Sequence, residues 1–192
     1  MLRLMSGLAC AGLLAGCVSV LPEPEAADAL YRFGPMPATR QLDAVVKVRE
    51  PEASRVFGGR AIASQGEDGA LRLVPGVEWA DPATRMFQLG LLDALGDEGA
   101  GAAIAASEAR LGDYNLSWRV SDFSIAGGTA SCRLELTLIE IAGEGAVEQS
   151  SVTGTAEASG RTGVARAQAM AQAGRDCVRQ AADFVADHTA TP

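Results

Sequence analysis

Few residues in this 192-residue chain have the type and spacing to do chemistry, and most of them are cysteines. Cys17 follows Leu14, Ala15 and Gly16 directly, behind a lone positive charge at Arg3 and an apolar run from about Leu4 to Leu14. A charged start, an apolar middle and small residues at the end make a secretory leader. The run is far short of the roughly 20 residues that a membrane span needs. A plain leader needs no cysteine after the cut. Leu14-Ala15-Gly16-Cys17 matches the bacterial lipobox, in which the cysteine sulfur is acylated and the residue becomes the mature N-terminus. We therefore expect a signal peptide at 1–16, removed together with Cys10, a covalent lipid on Cys17 and no other cofactor. Cys132 and Cys177 then remain as a pair of thiols in an oxidising compartment.

The other reactive side chains assemble into nothing. His188 is the sole histidine and lies in "DHTATP" at the C-terminus, where we expect a frayed, solvated tail. A Ser-His-Asp or Cys-His site would have to use it, and two cysteines with one histidine make no zinc site. Asp97 and Glu98 sit in a polar glycine-rich loop that would not separate their pKa values. "GDEGAG" and "AGGTA" lack the glycine pattern of a phosphate cradle and read as turns. No catalytic residue, no metal site and no enzyme is expected. The net charge of −8 and the absence of any basic cluster argue against nucleic acid and against electrostatic docking to anionic lipid. Lys47 is the only lysine.

The elements that would carry these residues follow from periodicity. Residues 17–28 read as a tether, Pro- and Glu-bearing and aperiodic, reaching roughly 35 Å when extended. The folded domain occupies 29–192. "LDAVVKVR" alternates Leu42, Ala44, Val46 and Val48 on one face with Asp43, Val45, Lys47 and Arg49 on the other, the pattern of a half-buried strand. "RAIAS" and "ALRLV" flank the turn "QGEDG" as a hairpin. In "EWADPATRMFQLGLLDALG", Asp81 is an expected N-cap, Pro82 a first helical residue and Gly96 the stop. The apolar stripe of that helix is Met86, Leu89, Leu92 and Leu95, widened by Phe87 and Leu91, with Trp79 near its start.

"YNLSWRV" alternates Tyr114, Leu116, Trp118 and Val120, then the phase slips to Phe123 and Ile125, predicting a bulge at Ser121 and Asp122. After the "IAGGTA" turn, "SCRLELTLIEI" alternates Cys132, Leu134, Leu136 and Leu138. "AGEGA" is another turn, and "VEQSSVTGTAEA" a weak polar strand suited to a sheet edge. A final helix spans about Gly163 to Asp187, with Val164, Ala167, Ala171, Gly174, Val178, Ala181 and Val185 on one stripe. Its small residues predict close packing. The order strands, helix, three strands, helix describes an α+β fold, an antiparallel sheet with two helices on one face.

Cys132 shares a strand face with three leucines, and Cys177 lies beside Val178 on the helix stripe. If that helix covers the sheet, both thiols enter one interface and form a candidate disulfide; two buried free thiols are the alternative. A bond needs Cα atoms about 4.4–6.8 Å apart, and closing a loop of some 45 residues would add about 3–4 kcal/mol.

With leader and elements in place, the chain resembles the ABC-type transport auxiliary lipoprotein family, the small lipoproteins of MCE-type lipid transport systems, including the paraquat-inducible and cholesterol-transport-like ones. "YRFGP" is similar to the family's opening Tyr-x-Leu/Phe, with the strand "VVKVREP" after it. "VEWADPATRMFQLGLLDAL" resembles its Trp-x-x-Pro entry to the first helix, and "YNLSWRVSDFSI" its Tyr-x-Leu…Phe strand. Between the first strand and Trp79 the chain departs from the family, with Phe57 and Arg60 in "SRVFGGRAIASQGEDGALRLVPG", so partner contacts there do not carry over. The resemblance implies a lipid-anchored periplasmic domain that assists an MCE-domain protein and ABC transporter subunits in moving phospholipid or sterol, with no ATPase in this chain. Val18, where an aspartate would signal inner-membrane retention, favours the outer membrane over the inner. Self-association through the polar edge strand is a further expectation. The competing readings are a lipid-carrying module, with an acyl chain lying against the small residues of the last helix, and an outer-membrane assembly or secretion lipoprotein of similar architecture.

Overall fold

The computed structural model describes residues 26–38, 40–96, 101–141 and 145–190. The leader, the lipobox and most of the tether lie outside the described residues, as do Asp97, Glu98 and most of the "AGEGA" turn. Nine strands and three helices follow one another as β1 (Ala29–Tyr31), β2 (Val45–Val48), β3 (Glu52–Ala53), α1 (Arg55–Gly58), β4 (Ala61–Gln65), β5 (Leu71–Trp79), α2 (Ala83–Leu95), β6 (Ala102–Ala105), β7 (Tyr114–Ala126), β8 (Thr129–Glu140), β9 (Val147–Glu157) and α3 (Gly163–Thr189).

The sheet is mixed rather than antiparallel. Strand β7 is its spine. On one side β7 pairs antiparallel with β8, and β8 with β9. On the other side three short strands share its length, all parallel to it: β2 at Tyr114–Leu116, β3 at Arg119–Val120 and β4 at Ser124–Ala126. Strand β6 adds parallel to β2, and β5 then β1 add beyond β4. The expectation of hairpins throughout fails because β2, β3 and β4 are separated from β7 by α2 and its loops. A connection that long can return a strand in the parallel sense.

The expected hairpin of β4 and β5 is present. So is the bulge in β7, where the register against β8 shifts between Val120 and Asp122. Gly127 and Gly128 close the β7–β8 hairpin with φ of 59° and 105°, the positive values that a tight primed turn requires. Strand β6 was not expected. Its "AAIA" run is too short and too alanine-rich to show a strand period, so four strands, not three, lie between α2 and α3.

Two expectations about α2 need correction. Its cap position is Pro82, not Asp81, and no side chain caps it. Its buried face centres on Ala83, Phe87, Leu91 and Ala94, while Leu89 is 39% exposed. The face turns because α2 meets its neighbours at Gly90, whose missing side chain would lie 3.7 Å from both Phe33 and Val178 of α3. The stop is as expected: Gly96 has φ 62° and donates its N–H to Leu92 C=O.

Helices α2 and α3 share one core with the inward residues of β2, β5, β7 and β8. At its centre four rings meet. Trp79 stacks on Phe123 at 5.4 Å, and Phe87 meets Phe123 edge-on at 5.0 Å and Phe33 at 4.9 Å. Such pairs add about 0.5–1.5 kcal/mol each beyond the area they bury. Helix α3 begins at Thr162, whose hydroxyl accepts from Ala165 N–H. It runs on through His188, which is therefore helical rather than frayed. The imidazole Nδ1 lies 2.8 Å from Phe184 C=O, and the ring rests against Phe184. On the expected small-residue stripe of α3 Val164 is 47% exposed, and the rest is covered.

Candidate functional site

This packing leaves open the outer face of the sheet and the edges at β1, β6 and β9, of which β9 is the longest strand. Strand β9 pairs with β8 alone, as expected for the polar segment "VEQSSVTGTAEA". Its second half is tied down by α3: Gln180 donates to Thr153 C=O at 2.8 Å, and a Cβ on Gly154 would meet Ala173 C=O at 2.3 Å. Its first half, from Val147 to Gln149, is exposed. The usable part of the edge is therefore Val147–Ser151, where an extended partner could find unpaired backbone groups.

Side chains beside that edge are apolar. Cross-strand register places Ile104, Lys47, Asn115, Ile139 and Val147 in one row across β6, β2, β7, β8 and β9. Ile139, Ile141 and Val147 are 36%, 50% and 55% exposed. At the other end of the row Val45, Ala102 and Ile104 form a small buried cluster of their own, separate from the main core. Asp113 anchors the strand between, its carboxylate accepting Val45 N–H at 2.8 Å. The signal for this patch was present in "LIEI", where isoleucines take the positions that alternation reserves for polar residues.

Further along the same face, β2 ends and β3 begins beside β7. There Arg49, Glu50, Glu52, Arg119, Glu135 and Thr137 help to line a solvent-open cavity of about 390 Å³. Two of its charges have side-chain partners: Arg119 pairs with Glu135, and Glu50 accepts from the Thr84 hydroxyl. Trp118 lies beneath, donating its indole N–H to Arg49 C=O at 2.6 Å. A second cavity, about 420 Å³, lies where the chain enters the domain, between Ala26–Asp28 and Leu73–Glu78. Neither cavity collects the nucleophile, base and oriented donor that catalysis needs. Among the described residues no group of three His, Cys, Asp or Glu is placed to hold a metal. No helix among them is long and apolar enough to cross a membrane.

The two domain cysteines do come together. Cys132 and Cys177 are fully buried, unbonded thiols, and the Cys177 thiol donates to Cys132 C=O at 3.1 Å. Burial, and then the hydrogen bond with Cys177, push the Cys132 thiol well above its ordinary pKa. The space that a lipid-carrying reading would assign to the small stripe of α3 is occupied. A Cβ on Gly174 would sit 2.7 Å from the Phe33 ring, and the helix backbone rests on Gly154.

Known structures share this architecture. The crystal structure of protein XCC0632 from Xanthomonas campestris, of the family DUF330, superposes with a TM-score of 0.68 at 24% identity, over 84% of this chain and 93% of that one. A crystal structure of an uncharacterized protein superposes with a TM-score of 0.67 at 14% identity, over 83% and 99%. At these identities both likenesses establish the fold alone. No curated protein is a significant match. The sequence profile of the ABC-type transport auxiliary lipoprotein component covers residues 32–186, from the "YRFGP" segment to the last turns of α3. That span holds β2 to β9, α1, α2 and all but the end of α3, and on it the chain belongs to the ABC-type transport auxiliary lipoprotein family.

Proposed function

We propose that this protein is a lipid-anchored accessory of an MCE-type transporter, a binding and scaffolding domain that helps to move phospholipid or sterol between membranes. The observation that carries the reading is the family match over 32–186, which implies association with an ABC-type transport system and a place in the cell envelope. A fatty-acylated Cys17 anchors the chain, since each buried CH₂ adds about 0.8 kcal/mol. The tether at 17–28 then holds the domain within roughly 35 Å of the membrane, and Val18 favours the outer one. Partners engage the Val147–Ser151 edge and the Ile139, Ile141 and Val147 patch. These partners are the MCE-domain protein, the ABC subunits and other copies of this chain.

Two measurements test this. Purifying the full chain from detergent-solubilised envelope should bring down an MCE-domain protein, identified by mass spectrometry; a clean monomer without any envelope partner would overturn the accessory role. Replacing Cys17→Ser should move the protein from the membrane fraction to the soluble periplasm. Unchanged membrane attachment would remove the lipid anchor from the account.

A further inference from the structure

We propose that Cys132 and Cys177 are joined by a disulfide in the exported protein, a covalent tie between β8 and α3 through the middle of the core. Three residues make the arrangement. Cys132 and Gly154 are register partners across β8 and β9. Neighbours of this kind have Cα atoms about 4.5–5.5 Å apart. A Cβ on Gly154 would lie 2.9 Å from the backbone N of Cys177 and 2.3 Å from Ala173 C=O. The missing side chain is thus what lets the helix backbone descend onto the strand pair. It brings Cys177 close enough for its thiol to reach Cys132 C=O at 3.1 Å. Among the described residues no group of three His, Cys, Asp or Glu stands at the pair to make it a metal site.

Burial holds the Cys132 thiol protonated and puts both sulfurs out of reach once α3 has docked, so the bond forms earlier. Helix α3 follows β8 and β9 in the chain and emerges after them. While it is still undocked, one cysteine thiolate attacks an external disulfide, such as that of a thiol–disulfide oxidoreductase or glutathione disulfide. This gives a mixed disulfide and releases one thiol. The second cysteine attacks the protein sulfur of the mixed disulfide and expels the other thiol. Two protein thiols are oxidised, one external disulfide is reduced to two thiols, and two protons pass to them. The resulting loop, 45 residues from end to end, encloses β9 and so fixes the strand whose free edge we assign to partners.

The inference rests on the envelope location, and the test separates the two. The full chain, exported with its leader and purified in detergent, is acid-quenched, denatured and alkylated without reductant, then digested with trypsin. Residues 120–133 and 176–179 are expected as one joined peptide that separates only on reduction. A second sample is reduced, unfolded and refolded with glutathione disulfide, and should give the same joined peptide. Alkylated Cys132 and Cys177 in both samples would overturn the bond. Alkylated cysteines in the exported sample but a joined peptide after refolding would keep the pairing and overturn the oxidising location. The reduced protein should melt roughly 10 °C lower than the oxidised one; equal melting temperatures would overturn the stabilising role. A Cys177→Ala chain serves as control, leaving Cys132 alkylated.

Discussion

Strand β7 meets a single long antiparallel neighbour on one side and three short parallel ones on the other. The β7–β8–β9 side is built from hairpins, with an unbroken row of inward Leu and Cys residues under α3. The opposite side is patched together from β2, β3 and β4, each entering after an excursion through loops or a helix. Local connections give long, regular strands that local pattern can specify. Distant connections give fragments whose register depends on what they pack against. The exposed apolar patch and the free edge both lie where the hairpin side ends, beyond the cover of α3.

The largest effect should come where the two sides meet. Phe123 lies on β7 and touches Phe33, Trp79 and Phe87. Phe123→Ala should lower stability by about 3–5 kcal/mol in urea unfolding, with amide exchange rising on both sides together. If only the β2–β6 amides lost protection, the two sides would be separate cooperative units. Next is Gly154→Ala on the hairpin side, where the new Cβ meets helix backbone that cannot move alone. A loss of roughly 2–3 kcal/mol is expected, with exchange rising first in α3; an unchanged melting point would show that the helix is less closely seated.

The counterpart on the other side is Gly101→Ala. Its Cβ would lie 2.2–2.6 Å from the backbone of Ala44. Because β6 is a short outer strand, the cost should be about 1–2 kcal/mol. It should appear as faster exchange in β6 and β2 with α3 unaffected. Asp113→Ala removes the carboxylate that holds Val45 N–H and should cost about 1 kcal/mol, the worth of one such bond, again seen mainly in β2.

The smallest effect is expected at the β4–β5 turn. A hydrogen bond from Arg72, and then one from Ala70 N–H, hold the Asp68 carboxyl down to about 2. An unfolded aspartate titrates near about 3.9. The folded value is the lower, so the contribution is complete above that pH and is lost as pH falls through 2. Side-chain NMR titration should find the low midpoint. The pair is exposed to solvent and screened by salt, so Asp68→Asn should leave the melting temperature at neutral pH unchanged within error.

Much of the hairpin side is legible in the chain: the alternation of β7 and β8, the phase slip that becomes the Val120–Asp122 bulge, and the glycine pair that turns between them. The polar edge of β9 and the small-residue face of α3 are legible too. Gly96 announces the end of α2. Each signal spans a few residues, and the geometry it specifies is made by those same residues. The parallel entry of β2, β3 and β4, the existence of β6, and the rotation of α2 that exposes Leu89 are not legible. These depend on which distant surface each segment finds. Of the residues able to do chemistry, sequence alone separated Cys17 from the domain cysteines, gave His188 no second histidine to work with, and put Cys132 and Cys177 on apolar faces. Only the tertiary structure decided that those two faces meet, because it is the empty position at Gly154, on a third element, that lets α3 come down between them.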